Sequence, residues 1–138
     1  MRRRCIALVA AGVGASWARG KPASGDGAAF AARALALRDE AIRRGDQPYG
    51  AVVVKDGVIV GEGVSAVVTL RDPDAHAERV ALADARRRLR TAELAGCVLY
   101  GSSRACGICE AAAARAGIAR MYYGPDAADA GAPRSTTL

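Results

Sequence analysis

The stretch YGAVVVKDGVIVGEG, residues 49–63, decides the fold of the first half of the chain. It contains two runs rich in β-branched residues, 49–55 and 58–63, and the dipeptide Asp56-Gly57 stands between them. An Asp-Gly pair between two such runs is typical of a two-residue hairpin turn, because both residues tolerate the positive φ angles that this turn requires. We therefore expect two antiparallel strands here.

Helices are predicted on both sides of this hairpin. Before it, residues 28–44 place apolar side chains at three- and four-residue steps, and Gly45 follows as a stop signal. After it, residues 75–90 are rich in Ala, Leu, Arg and Glu, which favour a helix. Arginines end this second segment, where cations complement the helix dipole, so we interpret them as a solvated helix end rather than an RNA-binding patch.

The second half of the chain alternates strand and helix. Residues 96–101 predict a short buried strand, residues 107–116 a helix that Gly117 ends, and residues 119–124 a fourth strand. Strands separated by helices pair in parallel through crossovers, so we expect an α/β fold with a mixed sheet layered between helices. The polar tail, residues 125–138, is expected to form loops or one short helix.

The N-terminal segment, residues 1–18, has the composition of an export signal. Three arginines precede an apolar run, residues 5–15, and a small-x-Ala sequence, residues 16–18, which is typical of a secretory signal peptide. The arginines also loosely match a twin-arginine signal. We expect residues 19–27 to be a flexible lead-in and residues 28–138 to be one domain that is periplasmic or secreted. The alternative is an N-terminal helix or a misplaced start, which would leave the protein cytoplasmic.

The net charge depends on this segment. The formal charge of +6 falls to +3 without residues 1–18, because three arginines and no acidic residue are lost. A balance of that size is weak evidence for a nucleic-acid partner, and an exported protein would not meet tRNA. No later apolar run reaches the roughly 20 residues of a membrane span, so we expect no membrane partner after cleavage. Cleavage also leaves three cysteines, which do not make a disulfide framework.

Four residues that suit metal chemistry stand where helices begin. His76 and Glu78 lie at the predicted start of the second helix, and Cys106 and Cys109 at the start of the third. A helix N-terminus carries unsatisfied N–H groups and a positive dipole end, which favours thiolates. Two thiolates and one imidazole form a zinc donor set with a fourth position for water, which ionises near neutral pH. Glu78 is placed to take the proton from that water.

These residues and their surroundings resemble the zinc-dependent cytidine and nucleobase deaminase superfamily, which carries an H-x-E and P-C-x-x-C signature. The segments QPYGAVVVKDGVIVGEG, RDPDAHAE and CVLYGSSRACGIC follow the order and approximate spacing of guanine deaminases and tRNA adenosine deaminases. The likeness covers about residues 28–125 and is specific for the family, not for the substrate. It implies a three-layer α/β/α sandwich with about five strands in a mixed sheet.

The resemblance also implies an activity and its catalytic residues. The expected reaction is hydrolytic deamination of a small amino-heterocycle, which could be a nucleobase, a nucleoside or an analogue. Zn²⁺ would be held by His76, Cys106 and Cys109, a metal-bound hydroxide would attack the ring, and Glu78 would be the proton shuttle. Because the family usually forms dimers, a homodimer is expected.

Four further residues are implied to contact the substrate. The position of Tyr49 lines the pocket in relatives, the backbone N–H of Ala77 contacts a substrate carbonyl, and the main-chain carbonyl of Arg104 accepts from the leaving amine. At the position of Ser65 relatives carry an Asn that hydrogen-bonds the base. A hydroxyl cannot make the paired contact of an amide. The residues of this chain therefore do not indicate that guanine or adenine is recognised at that edge of the base.

The chain departs from the family pattern at two more positions. Most relatives have Glu-Pro where this chain has Arg104-Ala105. Alanine can adopt the φ angle of proline, but arginine reverses a charge near the metal. We expect the guanidinium either to point to solvent or to favour an anionic group on the substrate.

Two alternatives compete with a deaminase. These departures would also suit a degenerate protein that keeps zinc for structure alone. A Cys-x-x-Cys pair that follows a strand and opens a helix is also typical of a thioredoxin-like dithiol oxidoreductase. The oxidoreductase reading leaves His76 and Glu78 unexplained.

Overall fold

Three helices and five strands follow one another along residues 24–135, which the computed structural model describes. They are α1 (Ser24–Arg43), β1 (Gly50–Lys55), β2 (Val58–Val64), α2 (Ala77–Leu89), β3 (Val98–Gly101), α3 (Gly107–Ala116), β4 (Arg120–Tyr123) and β5 (Ala128–Gly131). The predicted export signal and the first part of the lead-in, residues 1–23, lie outside the described residues and stay predictions. No helix in the described range is long and apolar enough to cross a bilayer.

The hairpin predicted from residues 49–63 is present. Strands β1 and β2 pair antiparallel, and Lys55 is opposite Val58 at the closed end. Asp56 and Gly57 have φ angles of 50° and 75°. These two positive angles are what the tight hairpin turn requires, and they explain why the turn sequence was informative.

The five strands form one mixed sheet in the order β2-β1-β3-β4-β5. Strand β1 pairs antiparallel with both β2 and β3, and β3 pairs parallel with β4. Since β3 and β4 are joined through α3, this parallel pair is the crossover unit predicted from the alternation of strand and helix. The mixed sheet is therefore confirmed.

Helices cover both faces of the sheet. Along β1, Ala51 and Val53 belong to a core cluster shared with α2 and α3, whereas Val52 and Val54 belong to a second cluster shared with Leu37 of α1. Successive strand residues point to opposite faces, so a strand that is apolar at every position is buried on both sides. The result is the expected α/β/α sandwich.

Glycines allow α2 to lie directly on β2. A Cβ atom at Gly63 would collide with the carbonyl oxygen of Ala77, and one at Gly61 would collide with the carbonyl oxygen of Ala81. No side chain longer than hydrogen fits between this strand and this helix. The position of the first turn of α2 is thus set by backbone packing against the sheet.

The tail prediction was wrong, because residues 128–131 form β5 rather than a loop or a helix. Strand β5 pairs antiparallel with β4, and the carboxylate of Asp129 accepts two bonds from Nε of Arg120, each 2.9 Å long. It is a four-residue edge strand, Ala-Asp-Ala-Gly, whose residues are exposed or half-exposed, and it lacks the apolar alternation that marks a strand in sequence. At the other end, α1 begins at Ser24 rather than at Ala28.

Candidate active site

The second helix begins beside the sheet with the sequence His76-Ala77-Glu78. His76 is the N-cap of α2 with extended backbone angles, φ −65° and ψ 148°, and Ala77 is the first helical residue. The imidazole is half-buried, and the N–H groups of this first turn have no acceptor within the helix. The start of α2 therefore presents an imidazole, N–H groups and a carboxylate together.

The third helix begins in the same way with its two cysteines. Cys106 is the N-cap of α3, with φ −69° and ψ 166°, and Cys109 lies in the first turn. Cys109 is buried in the core, whereas Cys106 is exposed. The three-residue spacing puts both sulfur atoms on the same side of the helix start.

The two helix starts converge. The Nδ1 atom of His76 lies 3.6 Å from Sγ of Cys106 and 3.3 Å from Sγ of Cys109. The three ligand atoms all lie within 4.8 Å of one another, and they form the one such group of His, Cys, Asp and Glu side chains found in residues 24–135. The residues that the sequence proposed as a donor set are therefore neighbours in space.

The donor set fits a tetrahedral zinc ion. Zn–N bonds of about 2.0 Å and Zn–S bonds of about 2.3 Å at tetrahedral angles require N···S separations of about 3.5 Å, close to those observed. Burial raises the pKa of the Cys109 thiol, and the neighbouring Glu78 and Cys106 raise it further. A thiolate at this place needs a cation beside it, which a zinc ion would supply.

Glu78 is a buried carboxylic acid next to this group. Only 6% of the residue is exposed, and burial raises its pKa, an effect that its own backbone N–H, the Cys109 thiol and the charge of His76 offset in part. Gly101, at the end of β3, lies beside this carboxyl group, since a Cβ atom built there would be in van der Waals contact with Oε1 of Glu78 at 3.7 Å. A carboxyl group with a raised pKa is a stronger base than an exposed glutamate, which suits it to accept a proton.

Tyr49 and Ser65 are joined by a backbone hydrogen bond close to the segment that precedes His76. The backbone N–H of Ser65 donates to the carbonyl of Tyr49 at 3.1 Å, and the next residue, Ala66, donates to the carbonyl of Ala75 at 3.0 Å. Tyr49 is 41% exposed, but Ser65 is only 2% exposed, and its hydroxyl donates to Asp46 at 2.9 Å. The side chain of Ser65 is thus engaged within the protein.

Arg104 is exposed and packs on an aromatic ring. Its Cζ atom lies 5.8 Å from the ring centroid of Tyr123, which is a cation–π distance. Both residues line a small cavity of about 20 Å³, room for roughly one water molecule, together with Glu110 and Tyr122. In this arrangement the guanidinium rests on the protein surface.

The family model for the zinc-binding region of cytidine and deoxycytidylate deaminases matches residues 26–125 of this chain. The chain belongs to this deaminase family. The match includes both helix starts described above.

Relatives of this family agree with the assignment. The chain is 41% identical to guanine deaminase of Bacillus subtilis over 106 residues, which cover 74% of this chain and 68% of that protein. It is 38% identical to a tRNA-specific adenosine deaminase of Aquifex aeolicus over 91 residues, which cover 64% of this chain and 60% of that protein. The crystal structure of the Bacillus subtilis guanine deaminase superposes with a TM-score of 0.67 at 39% identity, over 70% of this chain and 62% of that one. The chain thus spans about three fifths to two thirds of the length of these relatives.

Membership in the deaminase family confirms the resemblance and the fold expected from it. The alternative of a dithiol oxidoreductase is disfavoured by this membership. It is also disfavoured by the position of His76, which lies against both thiols of the Cys-x-x-Cys pair. The roles of Tyr49, Ser65, Ala77 and Arg104 toward a substrate stay predictions. Sequence reasoning missed Asp46, which it did not single out, although Asp in a connection before proline often hydrogen-bonds to nearby backbone.

Proposed function

We propose that the protein is a zinc-dependent hydrolytic deaminase of a small amino-heterocycle, which is a nucleobase, a nucleoside or an analogue. The observation that carries this proposal is the convergence of His76, Cys106 and Cys109 within 4.8 Å, beside the buried carboxyl group of Glu78. Membership in the deaminase family and the likeness to a guanine deaminase and a tRNA adenosine deaminase support it.

His76, Cys106 and Cys109 would hold the metal. A bound zinc ion would supply the Lewis acidity that activates water for attack on a ring carbon bearing an amino group. Cys106 is the exposed member of the three, so solvent and substrate would reach the site from its side. The net reaction adds water, breaks the bond between the ring carbon and its exocyclic amino nitrogen, leaves a carbonyl on the ring and releases ammonia.

Glu78 would move the protons in this reaction. Its carboxylate would accept one proton of the attacking water and pass it to the ring nitrogen, then accept the proton of the new hydroxyl group on the ring carbon and pass it to the departing amine. Burial, which raises the pKa of Glu78, supports this role, because a stronger base with a stable protonated form transfers protons in both directions.

Main-chain groups would orient the ring. The N–H of Ala77 lies in the first turn of α2, where it has no acceptor within the helix, so it is available to a substrate carbonyl. The carbonyl of Arg104 would accept from the departing amine, and the exposed ring of Tyr49 would form a wall. None of these contacts selects one heterocycle, so the proposal is limited to the class of substrate.

Location and assembly are further parts of the proposal. Export through residues 1–18 would place the enzyme in the periplasm or outside the cell, where free bases and nucleosides are substrates and tRNA is absent. A homodimer is proposed because proteins of this family usually form dimers. Both are tested by fractionating cells that express the full chain and by measuring the mass of the purified protein in solution.

The test of function is ammonia release by protein of measured zinc content. Purines, pyrimidines, pterins and triazines would be assayed in parallel with the variant Glu78→Gln, which keeps the size of the side chain but cannot carry a proton. We expect at least one compound to be deaminated, and kcat to fall by a factor of about 10³ or more in the variant while zinc content is unchanged. A zinc-loaded wild-type protein that deaminates nothing would contradict the proposal in favour of a degenerate family member.

A further inference from the structure

Asp46 gathers four hydrogen bonds although only 9% of the residue is exposed. Its Oδ1 atom accepts from the backbone N–H of Gln47 at 2.8 Å and from the hydroxyl of Ser65 at 2.9 Å. Its Oδ2 atom accepts from the N–H groups of Val68 at 3.1 Å and Thr69 at 2.7 Å. An ionised carboxylate has about four acceptor positions, so this one is fully used.

Three of these donors belong to the connection between β2 and α2, residues 65–76, which we call the β2–α2 loop. Residues 68–74 of this loop are exposed, so apolar burial does little to hold them. Bonds such as Leu70 N–H to the carbonyl of Ala66 fold the loop on itself. The bonds to Asp46 are different, because they connect the middle of the loop to the segment that follows α1.

The β2–α2 loop leads directly into the metal-binding residues. Its first residue, Ser65, donates to the carbonyl of Tyr49, and near its end the carbonyl of Ala75 accepts from Ala66. His76 follows at once as the N-cap of α2. A loop held in one conformation therefore fixes the wall that runs from Tyr49 to the start of α2.

We propose that Asp46 is a positioning residue that clamps the β2–α2 loop and so shapes the substrate side of the proposed deaminase site. The effect on substrate binding rests on the proposed function, whereas the hydrogen bonds that hold the loop do not. Ser65 is a part of this clamp: its hydroxyl proton is donated to Asp46 and its side chain is buried. At this position the chain uses a serine–aspartate pair to hold its own loop rather than an amide to read the ring.

The pattern of acceptors gives a specific test. Asp46→Ala removes both acceptor oxygens, so all four bonds are lost. Ser65→Ala removes one bond and leaves those of Val68 and Thr69. Asp39→Asn is a matched control, because Asp39 is exposed and pairs only with its neighbour Arg38 among the described contacts.

Amide hydrogen exchange on the zinc-loaded proteins measures the clamp. In Asp46→Ala the amides of Val68 and Thr69 should exchange about tenfold faster or more, while the amides of the sheet are unchanged. Ser65→Ala and Asp39→Asn should leave both amides protected. Unchanged exchange in Asp46→Ala would overturn the clamp, and so would a uniform loss of protection across the sheet, which marks a general structural role.

Steady-state kinetics measure the consequence for the site. With the best base found, Asp46→Ala should raise KM about tenfold and leave kcat and zinc content within about twofold, because the metal ligands and Glu78 are held by the helices. An unchanged KM with a loosened loop would overturn the positioning role, and so would an equal rise of KM in the control Asp39→Asn. If Asp46→Ala does not fold, Asp46→Asn keeps the shape of the side chain, and the amides that face its NH₂ group, those of Val68 and Thr69 or that of Gln47, should still exchange faster.

The two proposals fail separately. If the wild-type protein deaminates nothing, the proposed function is refuted, and the exchange rates of Val68 and Thr69 alone decide whether Asp46 clamps the loop.

Discussion

The Nδ1 atom of His76 lies 3.3 Å from the Sγ atom of Cys109, although the two residues are 33 positions apart in the chain. The sheet order explains the contact. Strands β2 and β3 flank β1 and are both antiparallel to it, so they end at the same edge of the sheet. The helices that follow them begin at that edge and lie on the same face. Each helix brings its first turn to the other, and the donor set forms between them.

Removal of the metal should lower stability. A ligand that binds only the folded protein stabilises it in proportion to the logarithm of its concentration over Kd, so a strong chelator should reduce the Tm of the wild-type protein. Cys109→Ser should contain little zinc and show no response to the chelator in thermal unfolding. Cys97→Ala is the control, since this buried cysteine is outside the donor set and its variant should keep zinc.

Gly63→Ala should disturb the start of α2, which follows His76. The added Cβ atom would collide with the carbonyl of Ala77, so either α2 moves or the protein loses about 1–3 kcal/mol of its free energy of unfolding. Denaturant unfolding and zinc content measure both effects. Gly107→Ala is the control, because a Cβ atom at this position would have nothing within 4 Å. If Gly63→Ala were as stable as Gly107→Ala and bound as much zinc, the packing argument would be contradicted.

The hydrogen bonds of Asp46 should make part of the stability dependent on pH. Burial raises its pKa, but the N–H groups of Thr69 and Gln47 and the hydroxyl of Ser65 outweigh burial and hold the pKa well below its usual range. A carboxylate with a lowered folded-state pKa stabilises the protein above its unfolded-state pKa of about 4, and this stabilisation is lost as pH falls below that value.

Asp46→Asn should therefore be less stable than the wild-type protein between about pH 5 and pH 7, by an amount that does not vary with pH. The difference should shrink as pH is lowered below about 4. Urea unfolding of both proteins across this range measures it. A difference that stays constant down to pH 2 would show that the carboxylate charge of Asp46 contributes nothing.

Arg104→Glu should have a small effect on neutral bases. The guanidinium packs on Tyr123, and loss of this contact costs about 0.5–1 kcal/mol of stability. We expect kcat/KM on uncharged bases to stay within about threefold and zinc content to be unchanged. A rise of about tenfold or more on neutral bases, with a loss on anionic ones, would instead show that Arg104 faces the substrate.

Much of the fold was predictable because its signals are local. The Asp56-Gly57 turn, the glycine that ends α3 and the uninterrupted apolar run of β1 depend on near neighbours in the chain, and the structure has all three. Strand β5 was missed because its evidence is not local: it is held by main-chain bonds to β4 and by the pair of Arg120 and Asp129, nine residues apart.

The candidate site divides in the same way. The sequence by itself determined the donor types, since a histidine, a glutamate and two cysteines stand at predicted helix starts, where the helix dipole suits metal and proton chemistry. Only the tertiary structure decided that the two helix starts meet, that Arg104 packs on Tyr123, and that Ser65 is bound to Asp46. Distances between segments far apart in the chain depend on how the sheet orders its strands, and no residue carries that information alone.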